Sequence, residues 1–291
     1  MNVCRIRQSR RPTVALAAWL AAVVVAVATA ADRAGGNRPI TIEVRSLAAG
    51  QGDKFDEKLA TWAIVPTETA ILICDVWDKH WCAGATKRCD AIARRIAALV
   101  EPARAAGVHI IHAPSDTLDF YRGHPARLRA KQVAFSKPPV PIEGGCGLDA
   151  KREGSLPIDD SDGGCDCQPP CPDVNKKYWS RQHPAITIAD DDLISDNGQE
   201  IYNYLVQQKI KNVIYVGVHT NMCVLGRSFG IRQMTRQGFN TYLVRDLTDS
   251  MYNSRKRPFV DHDAGTQLVV RHIERYWCPT LTSSALIEGL R

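Results

Sequence analysis

The sequence predicts an α/β fold of three layers, in which helices cover both faces of a mostly parallel central sheet with Rossmann-like topology. Four short apolar runs resemble strands that are buried on both faces, and amphipathic helical patterns lie between most of them. The chain has 291 residues, of which 45% are hydrophobic and 23% charged, so it can bury one large core and is not a disordered protein.

The individual elements follow from local patterns. Alternating apolar residues predict one edge strand, Ile40 to Val44, in an otherwise polar stretch that reaches residue 60. Gly107 and Gly238 are stop signals for two helices. Unbroken apolar runs predict buried strands over 70–74, 108–112, 212–218 and 240–244. Apolar residues at helical spacing predict helices over 88–106, 124–134, 197–208, 222–236 and 262–276.

Residues 137–177 interrupt this alternation of strands and helices. They are rich in Pro, Gly, Asp and Cys, and they hold too few large apolar residues to form a core of their own. We therefore predict a single domain over residues 31–291, in which residues 137–177 are a loop insertion and not a second domain.

The first 30 residues have the features of a signal peptide. Four arginines precede the apolar run at 14–28, and Ala28-Thr29-Ala30 fits a cleavage site. The run is shorter than the roughly 20 residues that a membrane span needs, so we expect no stable membrane insertion after cleavage. The chain is therefore predicted to be exported, to the periplasm or to the extracellular space.

Removal of this segment also changes the charge. The formal net charge is +6, and the segment takes four arginines and no acidic residues with it, so +2 remains. No stripe of Lys and Arg with interleaved aromatic residues is left, and we expect no nucleic-acid partner.

Ten cysteines are many for a chain with a large core, and Cys4 leaves with the signal peptide. In an exported protein the remaining cysteines favour disulfides, above all in the insertion. A metal site is disfavoured there because the insertion's CDCQPPC run lacks the usual zinc spacing. The pairing does not follow from sequence. The cysteines considered for it are Cys165, Cys167 and Cys171, with Cys82, Cys89, Cys146 and Cys278 as candidate partners.

Two candidate catalytic residues follow buried strands. Asp75 comes after the strand at 70–74, and Cys223 opens a helix shortly after the strand at 212–218. Ligands of such sheets bind beyond the carboxyl ends of the strands. A cysteine in the first turn of a helix is biased towards the nucleophilic thiolate. From position alone, Cys223 is more often a buried structural cysteine or one half of a disulfide. Asp75 is as often a helix cap or a loop residue.

The turn that carries Cys223 resembles the signature of the isochorismatase-like cysteine hydrolases, the superfamily that includes nicotinamidases. The segment ILICDVWD, which contains Asp75, resembles the first strand of that family. The resemblance covers roughly residues 69–286 and implies the isochorismatase-like fold. The residues of the signature turn are Gly217-Val218-His219-Thr220-Asn221-Met222-Cys223-Val224.

The resemblance implies a catalytic triad of Asp, Lys and Cys. In this chain Cys223 would attack a carbonyl carbon and form a covalent intermediate, and Asp75 would act as acid and base. The resemblance also implies a cis peptide bond between Val218 and His219. The backbone N–H groups of His219 and Cys223 would then form an oxyanion hole.

The lysine of this triad is not evident in the sequence. Its best counterpart is Arg181, and Ser180 takes the place in a different alignment. An arginine holds a charge but cannot release a proton. We expect Trp77, His112 and Thr220 to line the substrate pocket, although Trp77 and His112 are also consistent with structural roles in the core.

The sequence thus favours an exported cysteine hydrolase that cleaves a C–N bond of a small amide. One alternative is a non-catalytic binding protein of the same fold, because the triad lysine is replaced, and another is a thiol-redox or metal-binding protein. We expect no cofactor: Asp78 and His80 have the spacing of a metal-binding pair but follow the first strand instead of the second. The family resemblance implies a homo-oligomer of undefined size, and the substrate stays open.

Overall fold

The computed structural model describes residues 38–49 and 55–291, which form one eight-stranded sheet with flanking helices. The predicted signal peptide lies outside these residues. None of the described helices has both the length and the hydrophobicity that a membrane span requires. The strands are β1 (Ile40–Ala49), β2 (Phe55–Ile64), β3 (Thr69–Cys74), β4 (His109–Ala113), β5 (Leu193–Ile194), β6 (Asn212–Val218), β7 (Asn240–Asp249) and β8 (Thr280–Leu281). The α-helices are α1 (Ala83–Ala105), α2 (Pro125–Gln132), α3 (Gly198–Gln207), α4 (Ile231–Arg236), α5 (His262–Tyr276) and α6 (Ser283–Leu290).

The sheet is mostly parallel, as the sequence predicts. Its strand order is β2-β1-β8-β7-β6-β3-β4-β5, and all neighbours from β8 to β5 run parallel. The direction changes at β1, which pairs antiparallel with both β2 and β8. The run of parallel strands places their carboxyl ends at one edge of the sheet, where ligands of such sheets bind.

Successive side chains of the central strands point to opposite faces of the sheet and build two cores. Leu72 and Tyr215 pack with apolar residues of α3, α4 and α5. Ile73 and Val216 pack on the other face with apolar residues of α1 and α6. Helices therefore cover both faces, and the predicted three-layer α/β/α fold is confirmed.

The first two strands form a hairpin that the sequence predicts only in part. The register runs from Ile40 opposite Ile64 to Ala49 opposite Phe55. Along β2 most side chains are exposed and only Ile64 is buried, so this strand lacks the apolar alternation that identifies strands. Backbone hydrogen bonds to β1, more than side-chain burial, keep β2 in the sheet.

The single helix predicted over 222–236 is interrupted in the structure. A π-helix covers Thr220–Val224, and α4 begins only at Ile231. The insertion bonds to the backbone between the π-helix and α4. Gly145 forms a β-bridge with Arg227, and the N–H of Cys146 donates to the Gly226 carbonyl at 2.6 Å. Hydrogen bonds to the insertion replace helical ones here, and they override the local helical pattern.

The insertion, residues 137–177, contains no regular helix or strand. Buried polar bonds fasten it to the rest of the chain instead. Glu153 is 2% exposed and accepts hydrogen bonds from Arg232, His272 and Trp277. A buried carboxylate is unfavourable unless it is paired and hydrogen-bonded, so these contacts fix the middle of the insertion against α4 and α5.

The nine cysteines of the described residues are free thiols, and none of the predicted disulfides is formed. Cys146, one of the predicted partners, accepts a hydrogen bond from Arg236 instead. Cys89, another, lies 3.7 Å from the Trp77 carbonyl oxygen and donates to it. Four of the remaining sulfurs converge in a single group, formed by Cys82, Cys165, Cys167 and Cys171.

Gly217 allows β6 to pass close to β3. Its φ is +112°, and a Cβ added there would lie 2.1 Å from the Cys74 carbonyl oxygen. We expect Gly217→Ala to lower the free energy of unfolding by about 2–6 kcal/mol, because backbone strain and overpacking each contribute about 1–3 kcal/mol. Gly238→Ala is the control, since Gly238 also has a positive φ but nothing within 4 Å of an added Cβ. Urea unfolding measures both variants, and equal losses would contradict the steric explanation.

Candidate active site

Parallel pairing of β3 with β6 brings the two candidate catalytic segments together. Cys74 is the register partner of Gly217, so Asp75 and the turn after Val218 emerge side by side. Asp75 is fully buried and has a φ of +48°, which is uncommon for a residue other than glycine and occurs at constrained functional positions. The turn continues as the π-helix that contains Cys223, and such π-turns are frequent at functional sites.

Both carboxylate oxygens of Asp75 have partners. Oδ1 accepts from the backbone N–H of Ser115 at 2.8 Å, and Oδ2 accepts from Nε of Arg227 at 2.9 Å. The Asp75 carboxylate is fully buried, whereas the Arg227 side chain is 32% exposed. A carboxylate removed from water needs such partners because they replace its lost hydration.

The thiol of Cys223 lies against this ion pair. Burial raises the pKa of the thiol to about 12, and Asp75 adds to the rise through its negative charge and as an acceptor for the thiol proton. The charge of Arg227 and the backbone N–H of His219, which donates to the sulfur, act in the opposite direction and are outweighed. Cys223 therefore keeps its proton at neutral pH. This differs from the bias towards the thiolate that its position near the start of a helix predicts.

Arg227 is a candidate functional residue to which the sequence analysis gave no role. It lies one helical turn after Cys223, and its backbone N–H donates to the Cys223 carbonyl at 3.0 Å. Burial acts to lower the pKa of its guanidinium, but Asp75 and the neighbouring thiols outweigh burial and raise that pKa. The available signal was the spacing of four residues, because residues i and i+4 share one face of a helix.

Arg181, the predicted counterpart of the lysine, lies elsewhere. Its backbone N–H donates to Asp78 Oδ1 at 3.3 Å, and its guanidinium lies over the ring of Phe120, 5.4 Å from the centroid. Ser180, the alternative counterpart, donates to the same Asp78 carboxylate. The cation that the structure pairs with the buried carboxylate is Arg227, which follows the π-helix that contains Cys223 and does not belong to this loop.

The peptide bond between Val218 and His219 is cis, at the place that the family resemblance implies. His219 is buried, and burial followed by the charge of nearby His80 lowers its pKa to about 3, so its ring is neutral. Its Nε2 has no hydrogen-bond partner among the residues that the structure describes. A neutral imidazole with an unpaired Nε2 therefore lies at the start of the turn that carries the thiol.

Trp77 belongs to a stack of rings beside the site, which we call the aromatic stack (Trp77, His80 and Trp179). The centroids of Trp77 and Trp179 are 4.3 Å apart, and those of His80 and Trp179 are 5.8 Å apart. Nε1 of Trp77 donates to the carbonyl of Ser115, the residue whose N–H binds the Asp75 carboxylate. His219 stands edge-on to His80 at 4.9 Å, so the aromatic stack lies between the carboxylate and the cis peptide.

Two predicted pocket residues have polar groups that the scaffold already engages. His112 is fully buried, and its ring nitrogens lie 2.9 Å from Gln182 Oε1 and 3.0 Å from Asp192 Oδ2. Thr220 is also fully buried, and its hydroxyl lies 2.7 Å from that of Thr248. These bonds give both side chains a structural role, and contact with a substrate stays a prediction for both.

The pair Asp78 and His80, considered above for a metal, is engaged in local bonds. The Asp78 carboxylate accepts from the backbone N–H groups of Ser180 and Arg181. Nδ1 of His80 accepts from the N–H of Cys82 at 3.2 Å. Within the described part of the chain, the group of side chains able to hold a metal is formed by four cysteines and includes neither residue.

Comparisons with known proteins find similar solved structures. No family model matches the chain, and no curated protein matches it. A cysteine hydrolase from Pseudomonas syringae pv. phaseolicola 1448A is 17% identical, with a TM-score of 0.49 over 79% of this chain and 95% of the other. An isochorismatase family protein from Burkholderia thailandensis is 16% identical, with a TM-score of 0.41 over 78% and 97% of the two chains. One from Desulfovibrio vulgaris subsp. vulgaris str. Hildenborough is 14% identical, with a TM-score of 0.41 over 77% and 98%.

The pairing of Arg227 with Asp75 has a measurable effect on stability. We expect Arg227→Met to lower the free energy of unfolding by about 2–4 kcal/mol, because loss of one partner of a buried pair costs about 3–5 kcal/mol and partial exposure of Arg227 reduces this value. Arg227→Lys keeps the charge without the planar guanidinium, and we expect it to recover part of the loss. Urea unfolding at neutral pH is the measurement. If Arg227→Met is as stable as the parent, the ion pair does not contribute as argued.

The raised pKa of Cys223 governs how its alkylation depends on pH. A thiol with a pKa of about 12 is protonated near neutrality, so we expect its rate of reaction with iodoacetamide to keep rising with pH across the alkaline range. Asp75→Asn removes a charge that raises this pKa, and we expect the rate at neutral pH to increase about tenfold for each pKa unit lost. Arg227→Met removes a charge that lowers the pKa of Cys223, so we expect this variant to react more slowly than the parent at neutral pH.

Mass spectrometry of the peptide that contains Cys223 separates this reaction from that of the other thiols. Arg227→Lys is the control for the charge, since it should react like the parent. A rate that levels off near neutral pH in the parent protein would show that Cys223 has an ordinary or lowered pKa, and would contradict the electrostatics described here.

Proposed function

We propose that the chain is a cysteine hydrolase that cleaves the C–N bond of a small carboxamide, with Cys223 as the nucleophile and Asp75 as acid and base. The observation that carries the proposal is the buried Asp75 carboxylate, which accepts from Nε of Arg227 at 2.9 Å and which also raises the pKa of the neighbouring Cys223 thiol as an acceptor for its proton. A thiol in contact with a fixed proton acceptor is the pairing that nucleophilic catalysis by cysteine requires.

The proposed reaction begins with transfer of the thiol proton of Cys223 to Asp75. The sulfur then bonds to the carbonyl carbon of the amide, whose oxygen becomes an oxyanion. Protonated Asp75 passes this proton to the amide nitrogen, the C–N bond breaks, and ammonia leaves a thioester on Cys223. Water attacks the thioester while Asp75 accepts its proton. Asp75 returns that proton to the sulfur as the carboxylic acid departs.

Arg227 contributes charge to this reaction and no protons. A guanidinium stays protonated in proteins, so the proton transfers involve Asp75 alone. The positive charge of Arg227 opposes the rise in the pKa of the thiol, which makes the first proton transfer easier. The non-catalytic alternative rests on the missing lysine of the family's triad. Arg227 supplies a positive charge beside Asp75, so the missing lysine alone does not argue against catalysis.

Unpaired polar atoms near the site favour a flat substrate with polar edges. His219 Nε2 and Trp179 Nε1 are buried and have no hydrogen-bond partner among the described residues. An unsatisfied buried polar group costs about 1–3 kcal/mol, so a molecule that bonds to it gains affinity. Both atoms are close to the aromatic stack, since Trp179 belongs to it and His219 stands edge-on to His80, and planar molecules pack well against aromatic rings. A planar carboxamide is therefore the substrate class that we propose.

A panel of small planar carboxamides with detection of ammonia tests this function. We expect Cys223→Ala to reduce ammonia release to background because the nucleophile is gone. We expect Asp75→Asn to reduce it about 10²–10⁴-fold, the usual contribution of a general acid and base. Cys278→Ala is the matched control, since it removes a buried free thiol that lies outside the site. Ammonia release that survives in Cys223→Ala would exclude the mechanism.

The non-catalytic alternative gives a different result in the same experiments. A binding protein would let a planar amide protect Cys223 from alkylation but would release no ammonia from any member of the panel. Protection together with turnover that depends on Cys223 supports the hydrolase. Protection without turnover supports the binder.

A further inference from the structure

We propose that Cys82, Cys165, Cys167 and Cys171 bind a zinc ion. Their four sulfur atoms lie within 4.8 Å of one another, although Cys82 precedes Cys167 by 85 positions in the chain. None of the four belongs to the catalytic arrangement around Asp75. The proposal therefore holds whether or not the chain hydrolyses amides.

The distance between the sulfurs is that of a tetrahedral thiolate site. Zinc binds cysteine sulfur at about 2.3 Å, which places the sulfurs of a tetrahedron about 3.8 Å apart. The Sγ atoms of Cys82 and Cys167 are 3.7 Å apart. A disulfide would need a separation of about 2.05 Å. Four thiolates in a tetrahedron select zinc or iron, and zinc is the ion of closed four-cysteine sites with a structural role.

Backbone N–H groups at the start of α1 point at these sulfurs. The N–H of Gly84 donates to Cys167 at 3.2 Å, and that of Ala83 donates to Cys171 at 3.4 Å. Such donors, at the positive end of a helix of 23 residues, stabilise negative charge on sulfur. Hydrogen bonds of this kind also orient the ligands of metal sites. These two donors therefore favour negative charge on Cys171 and Cys167, and the thiolate is the form that binds zinc.

The position of the group indicates what the ion would do. Cys82 is the N-cap of α1, whereas the other three ligands belong to the insertion. One ion would thus join the start of a long scaffold helix to a segment without regular secondary structure. A cross-link that closes a long loop stabilises the fold by restricting the unfolded chain.

The segment held by the ion also contacts the turn that carries Cys223. Asp160 accepts from Nδ2 of Asn221 at 2.7 Å, two residues before the proposed nucleophile. Asp162 accepts from Nδ2 of Asn253 at 2.7 Å. Zinc at the four cysteines would therefore fix the insertion where it supports the catalytic turn.

The zinc content of the purified full-length protein tests the proposal. We expect one zinc ion per chain by elemental mass spectrometry, and at least about tenfold less in Cys82→Ser and in Cys171→Ser, since each variant removes one of four ligands. Cys278→Ser and Cys223→Ala change thiols outside the group and should keep the full zinc content. Cys171 is only partly buried, so Cys171→Ser provides the test if Cys82→Ser fails to fold.

Cobalt provides a second measurement that does not depend on activity. We expect cobalt-loaded parent protein to show the visible and near-ultraviolet absorption of tetrahedral cobalt thiolate, and Cys171→Ser to lose it. A parent protein purified from zinc-supplemented medium without stoichiometric zinc, with iron in its place, or with disulfides among the four cysteines would overturn the proposal. Because Cys223→Ala should retain zinc, failure of the zinc site and failure of the proposed hydrolase are separate outcomes.

Discussion

The buried carboxylate of Asp75 is the constraint on which the arrangement of the candidate active site depends. A carboxylate leaves water only when hydrogen-bond donors and a cation replace its hydration. The N–H of Ser115 and the guanidinium of Arg227 do so, at 2.8 and 2.9 Å. The thiol of Cys223 meets a proton acceptor that is already fixed in place. A single electrostatic requirement thus accounts for the positions of the carboxylate, the guanidinium and the thiol.

The strands that present these residues were the part of the fold most open to prediction. β3 and β6 are buried at every position, so the apolar runs at 70–74 and 212–218 identify them to within a residue. The same signal cannot identify β2, in which Ile64 alone is buried. Apolar patterns in a sequence indicate which residues are buried. A strand that is held at an exposed edge by backbone hydrogen bonds buries few side chains, so it has no such pattern.

The site was open to prediction only in part, for reasons that differ between residues. Asp75 and Cys223 follow from the rule that ligands bind at the carboxyl ends of parallel strands. Arg227 lies only one helical turn after Cys223, whereas the family resemblance places the cation on a different segment, where Arg181 is found. The four-cysteine group could not be predicted from the sequence because its first member, Cys82, lies at the start of α1, far along the chain from the other three. Spacing rules for zinc describe ligands that are close in the chain.

The insertion contacts the segment that carries Cys223 on both sides of that residue. On one side Asp160 bonds to Asn221, and on the other Gly145 forms a β-bridge with Arg227. The second contact also explains why the predicted helix stops. A continuous α-helix would bond the Gly226 carbonyl to the N–H of residue 230, but the insertion takes that carbonyl, and the residue 230 N–H donates to the Arg227 carbonyl at 2.7 Å. The backbone of the residue that pairs with the buried carboxylate is therefore set by the insertion. The chemistry of the site depends in this way on a segment that has no core of its own and must be held from outside.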